Sequence, residues 1–92
     1  MKEHSKNIEQ VAQEVIGVIV EAVNLRHLDR TKIGLATPLA RDGLGLDSID
    51  ILEVVVAIEH HFGVKLRDPS LGPKYFSTIG TVAEFVLTGG TS

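Results

Sequence analysis

Hydrophobic residues in the first quarter of the chain repeat with the period of an α-helix. They recur at intervals of three and four positions, at Ile8, Val11, Ala12, Val15, Ile19 and Ala22. This spacing predicts a helix from about Ser5 to Leu25 that buries one stripe, with Ser5 as its N-cap. The β-branched run "VIGVIV" is also compatible with a strand, but the helical period continues through it and no hairpin signal follows. We therefore predict a helix here.

The helical pattern stops between residues 26 and 46. Thr37-Pro38, Gly43 and Gly45 punctuate this segment, which is typical of turns. Its isolated apolar residues are Leu28, Ile33, Leu35, Leu39, Leu44 and Leu46. A loop of this length is uncommon in a small domain and usually has a function. The scattered leucines predict that the loop packs along the helices.

A second helix is predicted from about Ser48 to Phe62, ended by Gly63 as a left-handed C-cap. Its core stripe consists of Ile51, Val54, Val55, Ile58 and Phe62. A second apolar strip lies beside that stripe and consists of Ile49, Leu52 and Val56, bordered by Asp50, Glu53 and His60. We expect part of this second strip to face solvent, although it could instead pack under the long loop.

The remainder of the chain predicts one short helix and one longer helix. Pro69, Gly72 and Pro73 limit the segment "LRDPSLGPKYF" to a single helical turn. A last amphipathic helix is predicted from about Thr78 to Leu87, with Ile79, Val82, Phe85 and Val86 on its apolar face. The predicted fold is an all-α four-helix bundle with a long first loop and a short third helix.

Composition narrows the class of protein. The 92 residues, of which 43% are hydrophobic, are enough for one core, so we expect a single domain over residues 1–92. The chain has no cysteine, which excludes disulfides and thiolate metal sites. A formal charge of -3 disfavours nucleic acid as a partner. No apolar stretch approaches the ~20 residues of a membrane span and the N-terminus is unlike a signal peptide, so we expect a cytoplasmic protein.

The segment "GLGLDSID" holds the residues with candidate chemistry. Asp47 and Asp50 approximate a capping box around the start of the second helix. A catalytic Ser48 would need a neighbouring base, and the sequence offers neither that base nor a nucleophile elbow. His60 and His61 are adjacent and lie about 100° apart on a helix, which is poor geometry for one metal ion. The residues by themselves thus indicate a helix cap and no enzyme active site.

The stretch "TPLARDGLGLDSIDILEVVVAIEHHFGVKL" resembles the central segment of acyl carrier proteins, whose usual motif is Asp-Ser-Leu at the start of the second helix. The resemblance extends over nearly the whole chain. It implies that the Ser48 hydroxyl accepts 4′-phosphopantetheine from coenzyme A and that the thiol of this arm carries acyl groups as thioesters. It also implies a monomer whose partners are a phosphopantetheinyl transferase and acyl synthetase, acyltransferase and ketosynthase-type enzymes.

The resemblance further implies that the second helix is the partner-binding surface. Ile49 replaces the usual leucine of the motif, and His60 and His61 stand where glutamates are common, so this surface is less acidic than usual. The predicted partner-binding residues are Asp47, Ile49, Asp50, Leu52, Glu53, Val56, Glu59 and His60.

The pathway stays open at this point. Lys65, Arg67 and Lys74 make the region after the second helix basic, and "YFSTIGTVAEFV" resembles carriers of specialised lipid or polyene pathways. Fatty-acid, polyketide and specialised lipid synthesis are all compatible with the sequence. An aminoacyl or peptidyl carrier domain shares the fold and the serine, and an unmodified helical adaptor, in which Ser48 only supports a cap, is the other alternative.

Overall fold

Four α-helices form the framework of the computed structural model, which describes residues 7–24, 29–40 and 43–89. In chain order they are α1 (Ile8–Ala22), α2 (Ser48–Phe62), α3 (Gly72–Tyr75) and α4 (Ile79–Leu87). Two 3₁₀ turns, at Arg30–Lys32 and Pro69–Leu71, lie between them. The described residues contain no strand, only an isolated bridge between Pro38 and Thr78. The predicted all-α bundle with a short third helix is confirmed.

The first helix is shorter than predicted at both ends. Asn7 is its N-cap: the Gln10 backbone N–H donates to the Asn7 side chain at 2.8 Å, and the Asn7 N–H donates to the Gln10 side chain at 3.2 Å. At the other end Asn24 adopts a left-handed φ of 58°, which prevents the helix from continuing. The predicted bounds were therefore wrong, and Ser5 and Leu25 lie outside the described residues.

The core is centred on α1, which packs against both α2 and α4. Phe85 of α4 is fully buried and contacts the rings of Tyr75 and Phe76, with centroid distances of 5.4 Å in both cases. The buried hydrophobic residues are Val11, Ala12, Val15, Ile16, Ile19, Val20, Leu39, Leu46, Val54, Ile58, Phe76, Ile79, Val82, Ala83 and Phe85. One continuous core therefore joins the helices to the long loop.

Backbone hydrogen bonds attach the long loop to the start of α4. The Ile79 N–H donates to the Thr37 carbonyl at 3.0 Å, and the Leu39 N–H donates to the Ser77 carbonyl at 2.9 Å. The Leu46 N–H in turn donates to the Leu39 carbonyl at 3.0 Å, and both leucines are buried. The described part of the loop is thus a packed connector, as predicted, and it fixes the backbone that leads into α2.

Gly43 makes this connector possible because it lies against another part of the loop. A Cβ atom at Gly43 would lie 2.0 Å from the Pro38 carbonyl oxygen, whereas a Cβ at Gly34 in the same loop would meet nothing within 4 Å. We expect Gly43→Ala to break the bonds from Gly43 N–H to Ala40 and from Leu44 N–H to Pro38. At about 0.5–1.5 kcal/mol per bond, the free energy of unfolding should fall by about 1–3 kcal/mol.

Urea denaturation measures this change, with Gly34→Ala as the matched control. The control should stay within about 0.5 kcal/mol of the parent, because Gly34 is exposed and an added Cβ would meet no neighbouring atom there. Equal midpoints for the two variants would show that the loop adapts to a side chain at Gly43.

Exposed aspartates cap the two 3₁₀ turns. The Thr31 hydroxyl and then its backbone N–H donate to Asp29, and both bonds hold the pKa of that carboxyl below its ordinary value. The hydroxyl and N–H of Ser70 lower the pKa of Asp68 in the same way. Because both folded-state pKa values are depressed, the associated stability is present above the ordinary carboxyl pKa and is lost as the pH falls through the lowered values.

Within the ranges that the structure describes, none of the helices combines the length and the apolar composition needed to cross a membrane.

Candidate functional site

Two acidic side chains close the start of α2. The Asp50 N–H donates to the Asp47 carboxylate at 2.8 Å, and the Asp47 N–H donates to the Asp50 carboxylate at 3.3 Å. The reciprocal pair satisfies two backbone donors that a helix start leaves without partners. Both carboxylates also lie at the positive end of the helix dipole. The predicted capping box is confirmed, and Gly63 ends the same helix in the left-handed region at φ 69°.

Ser48 is the first residue of α2 and its side chain is exposed. Because Asp47 is the cap, the Ser48 hydroxyl is not needed for capping, and it forms no hydrogen bond with any residue that the structure describes. A rigid helix start therefore presents an accessible hydroxyl to the surroundings. The position fits a covalently attached phosphoester, since the N-terminal end of a helix favours a negatively charged group.

Three large apolar side chains next to Ser48 are exposed to solvent. Ile49 is 68% exposed, Leu52 63% and Val56 57%. The expectation that part of the second strip faces solvent is confirmed, and the alternative of packing under the long loop is wrong for these three residues. On the opposite side of the helix Val54 and Ile58 are fully buried, with Ile51, Val55 and Phe62 partly buried against the core. One face of α2 thus builds the core, and the other offers apolar surface.

The polar residues in the middle and last turns of α2 differ in what they contact. Glu53, His60 and His61 are exposed, whereas Glu59 is half-buried and accepts a hydrogen bond from the Leu66 N–H at 2.7 Å. Glu59 therefore anchors the segment that follows the helix, a role that the sequence analysis missed. The only sequence signal for it was an acidic residue in the last turn before Gly63, which is weak. The assignment of Glu59 to the partner-binding surface remains a prediction.

Two adjoining open grooves run between α1 and α2. The first has a volume of 650 Å³ and is lined by Ala22, Leu52, Glu53, Val56, Ala57 and His60. The second has a volume of 730 Å³ and shares Ala22, Ala57 and His60 with the first. The sequence analysis did not predict either groove, since both depend on how closely the two helices approach.

The interior between the helices, where an acyl chain could also lie, is closely packed by comparison. Val15, Ile58 and Val82 are fully buried, and Val55 is half-buried against the same core. An acyl chain between these side chains would have to displace them. The grooves between α1 and α2, in contrast, are already open to solvent.

Comparisons with known proteins give a match to one family model and to several relatives. The family model for the phosphopantetheine attachment site matches residues 7–86. An acyl carrier protein of Zymomonas mobilis is 47% identical over 45 residues, an alignment that covers 49% of this chain and only about half, 51%, of that relative.

Two further relatives align over most of the chain. An acyl carrier protein of Trieres chinensis is 29% identical over 79 residues, covering 86% of this chain and 82% of the relative. One of Helicobacter acinonychis is 27% identical over 74 residues, covering 80% and 87% respectively. The chain therefore belongs to the acyl carrier protein family, in which 4′-phosphopantetheine is the covalently attached cofactor.

Proposed function

We propose that the chain is an acyl carrier whose 4′-phosphopantetheine arm is attached to Ser48, and that it serves enzymes of fatty-acid, polyketide or specialised lipid synthesis. The observation that carries the proposal is the exposed Ser48 hydroxyl at the first position of α2, without a hydrogen bond to any described residue, inside a family match over residues 7–86. The terminal thiol of the arm supplies the thioester chemistry. We also propose a single domain, located in the cytoplasm, that is itself no catalyst.

The Ser48 oxygen is the acceptor in the attachment step. A phosphopantetheinyl transferase would bring coenzyme A to this oxygen, where a new bond to phosphorus forms as the pyrophosphate bond of coenzyme A breaks. The hydroxyl proton is lost and the adenosine bisphosphate leaves. No part of α2 has to unfold for this step, because the side chain of Ser48 is already accessible. Asp47 and Asp50 keep the helix start rigid meanwhile.

The exposed face of α2 supports transient binding of partner enzymes. Ile49, Leu52 and Val56 offer apolar anchors of the kind that fit a hydrophobic groove on a partner. Asp50, Glu53 and His60 border these anchors, with Asp47 and Glu59 near the ends of the helix. Acidic residues at such a rim attract a basic partner surface and mainly raise the association rate. Acyl synthetase, acyltransferase and ketosynthase-type enzymes are the proposed partners, each in turn receiving the same arm.

Incubation with coenzyme A and a phosphopantetheinyl transferase tests the attachment, and mass spectrometry of the intact protein reads the result. Mass spectrometry of protein purified from its native host tests the cargo. An acyl group on the arm supports the acyl role, whereas an amino acid or peptide would identify an aminoacyl or peptidyl carrier. No added mass in either experiment would leave the chain as an unmodified helical adaptor.

Charge reversal on the exposed face of α2 should slow association with a basic partner enzyme. We expect Asp50→Lys with Glu53→Lys to lower the association rate, and raised salt to weaken the parent complex, because salt screens exposed charges. Glu53→Lys alone is the cleaner variant, since the Asp50 carboxylate also belongs to the capping box. Stopped-flow kinetics with a partner enzyme at several ionic strengths measures both effects.

Glu84→Lys is the matched control, because Glu84 is exposed on α4. This substitution changes the net charge by the same amount as Glu53→Lys. This control should associate at nearly the parent rate. Equal slowing by Glu53→Lys and Glu84→Lys would assign the effect to net charge rather than to the α2 surface, and no slowing in either would rule out electrostatic docking.

A further inference from the structure

We propose that the exposed face of α2 is also a self-association surface, on which a second copy of the chain packs with its own α2 antiparallel to the first. Ile49, Leu52 and Val56 are 68%, 63% and 57% exposed, so three large side chains of one helix leave apolar area in contact with water. Burial of this area against the same strip of a second copy would remove it from water, which is favourable.

The charges along α2 make the helix complementary to a second copy of itself. Asp47 and Glu53 lie toward the start of the helix, whereas His60 lies in its last turn and exposed Lys65 follows it. A parallel arrangement would bring like ends together. The antiparallel arrangement instead places the acidic start of each helix beside the basic end of the other. This complementarity occurs twice in a two-fold dimer, because each copy contributes both ends.

The spacing of the side chains along α2 sets the register of this packing. Ile49, Val56 and Gly63 follow one another at about two helical turns and therefore share a face. With Val56 on the two-fold axis, Ile49 of one copy faces Gly63 of the other, where the missing side chain leaves room for it. Glu53, Val56 and His60 line the same groove beside this face. In this register Glu53 comes beside His60 of the second copy, whose ring N–H can donate to the carboxylate.

The association is weak, because only one helix from each copy takes part. Such a contact buries less than the ~1,200 Å² at which standard stable complexes begin. The chain is therefore a monomer at low concentration, as the family resemblance implies, and a dimer only when it is concentrated. Leu52 and Val56 are covered in the dimer, so self-association competes with partner enzymes for the proposed partner-binding face. This consequence rests on the proposed function, whereas the dimer itself does not.

Sedimentation equilibrium of the full-length unmodified protein tests the dimer. The average mass should rise from that of the monomer at about 10 μM toward twice that value at about 1 mM, the range in which weak complexes dissociate. A mass that stays at the monomer value throughout would overturn the proposal. A mass that rises beyond twice the monomer value would also overturn it, because a two-fold contact closes at two copies.

Cross-linking through a single introduced thiol tests the register. The chain has no cysteine, so Val56→Cys supplies its only thiol as long as the phosphopantetheine arm is absent. Val56 faces itself across the axis, and air oxidation of this variant at high concentration should give a disulfide-linked dimer. Ile49→Cys is the matched control, since Ile49 is the more exposed of the two. Its two copies would lie ~21 Å apart along the helix axes, too far for a disulfide, so it should cross-link much more slowly.

A charge exchange tests the contact between Glu53 and His60 of the second copy. Glu53→Lys and His60→Glu should each lower the dimer fraction, because each removes an attraction that occurs twice. The double variant should recover the dimer, since the introduced lysine and the introduced glutamate again meet across the interface. Glu84→Lys, which changes an exposed residue on α4, should dimerise like the parent.

The outcomes separate this inference from the proposed function. Equal cross-linking of Val56→Cys and Ile49→Cys, or no recovery in the charge-exchanged double variant, would overturn the antiparallel packing. Attachment of the arm to Ser48 is measured independently by mass spectrometry. A failure of the dimer therefore leaves the carrier role intact, and a failure of attachment leaves the dimer intact.

Discussion

Ser48→Ala should abolish phosphopantetheine attachment completely while leaving the protein folded. The hydroxyl is the proposed acceptor, and alanine has no oxygen to form the bond to phosphorus. The structure also indicates that the substitution is mild, because Asp47 caps α2 and the Ser48 hydroxyl has no hydrogen bond to a described residue. We expect the free energy of unfolding to change by no more than about 0.5 kcal/mol, rather than by the 0.5–2 kcal/mol typical of a lost N-cap.

Mass spectrometry after incubation with coenzyme A and a transferase measures the first effect, and urea denaturation the second. Ser77→Ala is the matched control, since Ser77 is an exposed serine outside α2. The control should gain the arm as fully as the parent does. Modification of the Ser48→Ala variant would place the attachment point elsewhere and remove the basis of the proposed function.

The start and end of α2 were predictable because the signals are local. The capping box requires only Asp47 and Asp50, three residues apart, and the end requires a residue that tolerates a left-handed φ, which Gly63 supplies. The start of α1 had an equally local signal that was missed. Asn7 and Gln10 are also three residues apart and form reciprocal capping bonds, whereas the prediction chose Ser5.

Features that join distant parts of the chain could not be read from the sequence. The Glu59 carboxylate accepts a hydrogen bond from the Leu66 N–H, and the Thr37 carbonyl accepts one from the Ile79 N–H. Both bonds form only once the chain has folded. The groove between α1 and α2 likewise depends on the approach of Ala22 to Ala57. In contrast, the exposure of Ile49, Leu52 and Val56 was predictable, since a helix with one buried stripe leaves the adjoining strip outside.

Substitutions on the two faces of α2 should have opposite consequences. Ile49 is 68% exposed whereas Ile58, on the same helix, is fully buried. Ile49→Ala should therefore change stability little, while Ile58→Ala should lower the free energy of unfolding by about 2–5 kcal/mol. Val56→Ala and Val54→Ala form a second matched pair, with 57% and 0% exposure. Transfer of the acyl group to a partner enzyme should fall sharply in the two exposed variants, because apolar anchors carry much of the affinity of such contacts.

Urea denaturation of the four variants and acyl-transfer rates with one partner enzyme test this arrangement together. Ile49→Ala is especially informative, since Ile49 is exposed on the proposed partner-binding face and is not part of the buried core. A loss of transfer in Ile49→Ala with the arm fully attached therefore reports partner binding rather than a failure of attachment. Normal transfer by both exposed variants, at unchanged stability, would show that partners bind a different surface, because the apolar strip would then be exposed without contributing to the contact.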